Sequence, residues 1–142
     1  MPRLELYSVK SGDVQGKGGL NWGFANAHVT EQDAYIALTS SFLTQYPDFF
    51  PPHGTLIEVE WDDGEVMTCL LEGTQGPNKN LPKQISSYDD KSVLGSYLRR
   101  RLGVAPDHLI TMQDLQRYGR NYIDAEHLDG TRYYFDFANN IG

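Results

Sequence analysis

The chain has 142 residues, of which 39% are hydrophobic and 22% charged, and its formal net charge is −7. This length predicts a single domain, residues 1–142, that buries its own core without disulfides or metals. A single cysteine excludes a disulfide framework and favours a cytoplasmic location. No apolar run approaches the roughly 18 to 20 residues of a membrane span, and the charged N-terminus does not resemble a signal peptide, so no membrane partner is expected.

The first half of the chain predicts strands that are separated by turns and by one long loop. Residues 10–33 are polar and rich in glycine, and a loop of this length in a compact domain is usually functional or disordered. The double proline in residues 49–54 forbids a helix and predicts a turn. Residues 62–65, Asp-Asp-Gly-Glu, have the composition of a hairpin turn. Alternating or short apolar runs predict four strands, at residues 4–9, 34–38, 56–61 and 66–71.

The second half of the chain predicts two helices and a closing hairpin. Residues 72–88 form a second long polar loop, which contains two prolines. From residue 89 to residue 102 apolar side chains recur at helical spacing, and Gly103 is a typical helix end. Thr111 and Asp114 resemble a capping box, which predicts a short second helix. The last two strands are predicted at residues 121–128 and 131–137.

Together these elements predict an α+β fold that is mainly β. At least six strands with two short helices are typical of a domain built around a barrel-like sheet. The sequence contains neither an internal repeat nor a linker long enough to divide it into two domains.

The charges are distributed unevenly along the chain. Residues 1–72 contain three Lys or Arg and eleven Asp or Glu, whereas residues 73–120 contain eight basic and four acidic residues. Residues 121–142 contain one basic and four acidic residues. A basic segment within an acidic protein is typical of a protein that meets a polyanion with one face. A solvated helix face would have the same composition, so charge alone leaves both interpretations open.

Few patterns of catalytic or metal-binding residues occur. The four histidines lack zinc-site spacing, no phosphate-binding loop is found, and Cys69 lies in a predicted strand, so we expect no cofactor, metal or cysteine nucleophile. One enzymatic alternative remains, because Asp48, Asp90 and Lys91 fit the proline-aspartate plus acid-x-lysine pattern of metal-dependent nucleases. Such a site needs its residues on adjacent strands, whereas helix capping explains Asp90 without a metal.

The two polar loops contain side chains that are suited to reading DNA. Asn and Gln pair bidentately with adenine, Lys pairs with guanine, and Lys also neutralises phosphates. Loops that present such groups from a rigid sheet form a suitable reading surface, although surface loops are polar in most proteins. Trp22, which follows a Gly-Gly-Leu-Asn sequence, is expected to pack under the first loop rather than to stack on a base.

Seven short motifs follow one another along the chain: LNWG at 20–23, AYI at 34–36, FFPP at 49–52, DDG at 62–64, LGSYLRRRLG at 94–103, DLQRYGR at 114–120 and FDF at 135–137. In this order they resemble the B3-like DNA-binding domain at the C-terminus of NgoFVII-type restriction endonucleases. The resemblance spans nearly the whole chain, and the ordered set is more specific than any one motif.

The resemblance implies an open seven-stranded pseudobarrel and two recognition arms that grip the major groove of double-stranded DNA, as in a bacterial restriction system. The first arm would be residues 15–32 and the second residues 73–86, which are the two polar loops. DNA contacts in the first arm are expected from Lys17, Asn21, Asn26 and His28. DNA contacts in the second arm are expected from Gln75, Asn78, Lys79, Asn80 and Lys83. Phosphate contacts are expected from Lys91, Arg99 and Arg100, although consecutive helix residues cannot all face the DNA.

The sequence departs from the family pattern in two respects. Residues 24–28, Phe-Ala-Asn-Ala-His, replace the glutamine and arginines that usually follow the first motif, so guanine should be read less well. The nuclease domain of such enzymes is not in these residues, so the domain is expected to bind without cutting or to work with a separate nuclease subunit. The alternatives are the metal-dependent nuclease and a protein-interaction domain that has lost DNA binding.

Overall fold

A computed structural model of the protein describes residues 2–25, 30–75 and 80–139. Within these ranges seven strands form one sheet, and three α-helices and one 3-10 helix accompany it. The strands are β1 (Arg3–Glu5), β2 (Ile36–Ala37), β3 (Leu56–Trp61), β4 (Val66–Glu72), β5 (Gln84–Ser87), β6 (Tyr122–Asp129) and β7 (Arg132–Asp136). The helices are the 3-10 helix Gly19–Phe24, α1 (Ser40–Gln45), α2 (Ser92–Leu102) and α3 (Met112–Tyr118).

The sheet has the strand order β1-β6-β7-β3-β4-β5-β2 and curls into a nearly closed barrel. All neighbouring strands are antiparallel except β3 and β7, which are parallel. The two edge strands, β1 and β2, leave the barrel open on one side. This architecture confirms the predicted mainly β, α+β fold of the B3-like pseudobarrel type.

The core lies inside the barrel because the strands alternate as the sequence predicted. In β3, Ile57, Val59 and Trp61 are buried, and the residues between them are more exposed. Cys69 on β4 faces the same interior, and burial raises the pKa of its thiol to about 12. A thiol with this pKa stays protonated at neutral pH, so the assignment of Cys69 to the core is confirmed.

The predicted helices are confirmed with adjusted ends. α2 begins at Ser92 rather than at residue 89, because the Asp90 carboxylate accepts hydrogen bonds from the Ser92 backbone N–H and hydroxyl. It ends at Gly103, whose φ of 73° favours a residue without a Cβ. Thr111 and Asp114 form the predicted capping box of α3. None of the helices in the described ranges is long and apolar enough to cross a membrane.

Besides the 3-10 helix within the first polar loop, two elements differ from the prediction. The first is α1, which the sequence analysis did not predict and which buries Phe42 and Leu43. The second is β5, which lies within the predicted polar loop 72–88 and pairs with both β4 and β2. The second arm therefore ends at residue 83, directly before β5 begins at Gln84.

Candidate nucleic-acid interface

Backbone hydrogen bonds join the two ends of the first arm, and we call this junction the neck of the arm. The backbone N–H of Gly23 donates to the carbonyl of Asp33 at 2.8 Å, and that of Tyr35 donates to Gly19 at 3.0 Å. A Cβ atom built on Gly23 would lie 2.2 Å from the carbonyl oxygen of Thr30. The glycine of the LNWG motif therefore allows the two ends of the arm to cross.

The returning end of the first arm is pressed against α2. A Cβ atom built on Gly95 would lie 1.6 Å from the carbonyl oxygen of Gln32, and the backbone N–H of Ala34 donates to Lys91 at 3.3 Å. Only glycine permits this approach in the middle of a helix. Gly95 was not among the predicted functional residues, although a glycine inside a helical pattern is a signal for close packing.

Asn21 lies beneath the first arm and is fully buried. Its amide nitrogen donates to the carbonyls of Gln15 and Ile110, both at 2.8 Å, and its amide oxygen accepts from the Ile110 backbone N–H at 2.8 Å. These bonds leave no donor for a base. The prediction that Asn21 contacts DNA is therefore wrong, because the amide holds the 3-10 helix to the segment before α3.

Arg99 is also fully buried, which corrects its predicted role as a phosphate contact. Its guanidinium donates to the carbonyls of His108 at 2.8 Å, Gly95 at 3.2 Å and Leu20 at 3.2 Å. Burial lowers the pKa of Arg99 from its ordinary value. The side chain thus ties α2 to the 3-10 helix at the base of the first arm.

The described residues of the second arm continue the antiparallel pairing of β4 and β5. The backbones of Gln75 and Leu81 pair through N–H to carbonyl bonds of 2.8 and 3.1 Å. The amide nitrogen of Gln75 donates to the carbonyls of Leu38 at 2.8 Å and Pro82 at 3.1 Å. Gln75 therefore belongs to the neck of the second arm, and its amide nitrogen is not free to donate to a base, so its predicted DNA contact is limited to the amide oxygen.

The necks of the two arms are joined by Glu72, Lys91 and Trp22. The Lys91 ammonium lies 2.7 Å from a Glu72 carboxylate oxygen and 5.6 Å from the centre of the Trp22 ring. The same Glu72 oxygen accepts from the Ser86 hydroxyl at 2.7 Å. Burial disfavours the Glu72 carboxylate, but the hydrogen bonds from Lys91 and Ser86 outweigh burial and hold the pKa of Glu72 below its ordinary value.

Three of the predicted contact residues are exposed on or beside the arms. Lys17 precedes the 3-10 helix, and Asn80 and Lys83 lie on the returning end of the second arm. Lys83 is anchored by its backbone, because its N–H donates to Glu72 and its carbonyl accepts from Leu38, both at 2.8 Å. Asn26, His28, Asn78 and Lys79 lie outside the described residues.

Arg100 is exposed but lies far from the second arm. Its guanidinium is 3.6 Å from the carboxylate of Glu65, which precedes β4, whereas the second arm follows β4. Seven strand residues separate the two ends, or roughly 20 Å. Arg100 therefore does not lie beside the second arm.

The basic segment of the sequence does not form one basic face. Arg101, Arg117 and Arg120 lie within 3.1 Å of the carboxylates of Asp62, Asp114 and Asp136, respectively. Arg100 pairs with Glu65, and Arg99 is buried. The positive charges of this segment that remain near the arms are lysines.

The nuclease alternative gains no support from the described residues. They contain no group of three or more His, Cys, Asp or Glu side chains that could hold a metal ion. Asp90 caps α2 through Ser92, and Lys91 pairs with Glu72, so two of its three proposed residues have structural partners.

Comparison with known proteins agrees with this geometry. A search of curated proteins found no match. The family model described as the NgoFVII C-terminal B3-like DNA-binding domain matches residues 3–129, which include every strand except β7. The chain therefore belongs to the family of NgoFVII C-terminal B3-like DNA-binding domains.

Proposed function

We propose that this domain binds double-stranded DNA in a sequence-specific manner, by placing its two arms in the major groove. It acts as the recognition module of a restriction-type system and does not itself cleave DNA. Cleavage belongs to a nuclease domain or subunit outside these residues. The observation that carries the proposal is that the two polar arms share one rigid base, formed by Gln75 with Leu38 and by Glu72 with Lys91.

The spacing of the arms suits a DNA groove. The first arm enters β2 after Tyr35, and the second arm enters β5 after Lys83, which bonds to Leu38. Tyr35 and Leu38 are three residues apart, or roughly 10 Å at the rise of a strand. The major groove of DNA is about 12 Å wide and continuous along the helix, so arms that start roughly 10 Å apart can enter it at neighbouring positions.

Each class of side chain has its own role in this proposal. Lys17 and Lys83 neutralise phosphates, while Asn80 supplies an amide to a base edge. Lys91 pairs with Glu72 and supports the arms from their base. Contacts from the arm tips remain those predicted from the sequence: Asn26 and His28 in the first arm, and Asn78 and Lys79 in the second.

The salt dependence of DNA binding tests this assignment. We expect the double variant Lys17→Ala/Lys83→Ala to bind duplexes more weakly, with a slope of log affinity against log salt that is reduced by about 0.9 for each phosphate that is no longer neutralised. Fluorescence anisotropy at several salt concentrations measures both quantities. Arg100→Ala is the matched control, because it removes an exposed charge roughly 20 Å from the second arm. Equal slopes for the double variant and the wild type would overturn the assignment.

A further inference from the structure

The open side of the barrel contains a cleft of about 710 Å³. It lies between the edge strands β1 and β2, and the base of the first arm and α1 complete its walls. Binding sites for small molecules usually have volumes of about 300 to 1,000 Å³, so the cleft has room for a nucleotide-sized ligand.

Aromatic rings form much of the wall. Tyr7, Tyr35, Phe42 and Tyr46 all line the cleft. Tyr35 is held by an edge contact with Trp22 at 5.4 Å between ring centres, and Phe42 is packed against Tyr46 at 5.3 Å. Tyr7 is half-buried and contacts no other aromatic ring within the described residues. Phe42 is buried, so the partly buried rings of Tyr7, Tyr35 and Tyr46 are the ones that remain for stacking on a planar ligand.

The polar groups of the cleft are of two kinds. The hydroxyls of Ser8 and Thr39 accept hydrogen bonds from nearby backbone N–H groups. By contrast, the amides of Gln15 and Gln45 and the hydroxyl of Tyr35 make no hydrogen bond to any described residue, although they also line the cleft. A carboxamide offers a donor and an acceptor side by side, which matches the edge of a nucleobase.

We propose that this cleft binds a nucleobase. The aromatic rings stack on its faces, the amides of Gln15 and Gln45 hydrogen-bond to its edge, and Lys10 at the cleft meets the attached phosphate. Gly18 and Gly19 line the cleft at the base of the first arm, and a Cβ on Gly18 would lie 3.1 Å from the Gln15 amide oxygen and 3.2 Å from the Tyr35 hydroxyl.

A nucleobase can reach the cleft from two sources. It is either a base extruded from the duplex that the arms bind, or the base of a free nucleotide. Extrusion rests on the proposed function, because it requires a bound duplex. It would allow the domain to inspect all edges of one base, which a groove contact cannot do.

The test combines two probes and one pair of variants. Duplexes with 2-aminopurine at successive positions report extrusion, because the fluorescence of this base rises when it leaves the stack. The four deoxynucleoside monophosphates, observed by saturation-transfer NMR, report free-nucleotide binding. Gln15→Leu/Gln45→Leu removes the edge contacts. Gln116→Leu, an exposed glutamine on α3, is the matched control.

We expect a several-fold fluorescence rise at one position, or saturable nucleotide signals, in the wild type and in Gln116→Leu. Either response should disappear in Gln15→Leu/Gln45→Leu. Absence of both responses in the wild type, or their persistence in the cleft variant, would overturn the proposal. The fluorescence anisotropy of the duplex in the same samples separates the cleft proposal from the proposed DNA binding. If the anisotropy rises with protein but neither response appears, only the cleft proposal is rejected. If the anisotropy does not rise, DNA binding is rejected, and the NMR signals of the nucleotides then test the cleft on their own.

Discussion

At the scale of single residues, Asn21 and Arg99 show how burial reverses the role that a polar side chain suggests. Both occur in motifs that support the family resemblance, and both are fully buried beneath the first arm. The partner of Asn21 is Ile110, which lies 89 residues further along the chain. A pairing over this distance has no local signal, so the sequence could not separate a supporting amide from a base-reading amide.

Replacing Asn21 by Ala should destabilise the fold by about 2–4 kcal/mol, because the N–H and carbonyl of Ile110 would lose their partner inside the protein. Urea unfolding measures the free energy of unfolding. Asn80→Ala is the control, since that side chain is exposed and its removal should change stability by less than about 0.5 kcal/mol. Equal stability of the two variants would show that the hydrogen bonds between Asn21 and Ile110 do not stabilise the fold.

At the scale of elements, strands with clear alternation such as β3 and β4 were predicted, and short elements without a periodic signal were missed. β3 matches its prediction at both ends, and β4 is one residue longer. β5 reads Gln-Ile-Ser-Ser and follows two prolines, so it has no alternation that distinguishes it from a loop. α1 has only six residues, too few for a helical period to stand out.

The contact between the first arm and α2 predicts that one Gly-to-Ala substitution in α2 lowers the stability of the fold instead of raising it. Gly to Ala inside a helix normally stabilises by about 0.5–1 kcal/mol. Gly95→Ala should instead destabilise by about 2–4 kcal/mol, because the new Cβ would lie 1.6 Å from the Gln32 carbonyl oxygen. Thermal unfolding measures the change. Gly16→Ala is the control, because a Cβ at Gly16 would meet nothing within 4 Å. A stabilised Gly95→Ala variant would show that the arm does not pack there.

The ion pair between the necks predicts a pH dependence. The folded pKa of Glu72 lies below its ordinary value of 4.5, so its contribution to stability is present above pH 4.5 and is lost as the pH falls through the folded pKa. The difference in melting temperature between the wild type and Glu72→Gln should therefore shrink as the pH is lowered from 6 to about 3.

Glu58→Gln is the control for this pH series. Glu58 is exposed on β3 and forms no ion pair within the described residues. The difference in melting temperature between Glu58→Gln and the wild type should stay nearly constant over the same pH range. A constant difference for Glu72→Gln as well would contradict the role of the Glu72–Lys91 pair.

At the scale of the whole molecule, the charges explain what kind of DNA binding to expect. The sequence contains a basic segment, but in the folded protein its arginines are buried or paired with acidic side chains from other segments. The net charge is −7. Non-specific attraction to phosphates should therefore be weak, and under the proposed function the affinity comes mainly from base contacts of the two arms. Sequence position alone could not show this, because the pairing depends on the fold.

Selection of bound duplexes from a random DNA pool, at low and at moderate salt, tests sequence-specific recognition most directly. We expect an enriched motif of a few base pairs that persists at moderate salt, because direct base contacts depend less on salt than phosphate contacts do. The absence of any enriched motif, together with weak binding that vanishes as salt rises, would contradict specific recognition. That result would favour a protein-interaction domain that has kept the fold and lost DNA binding.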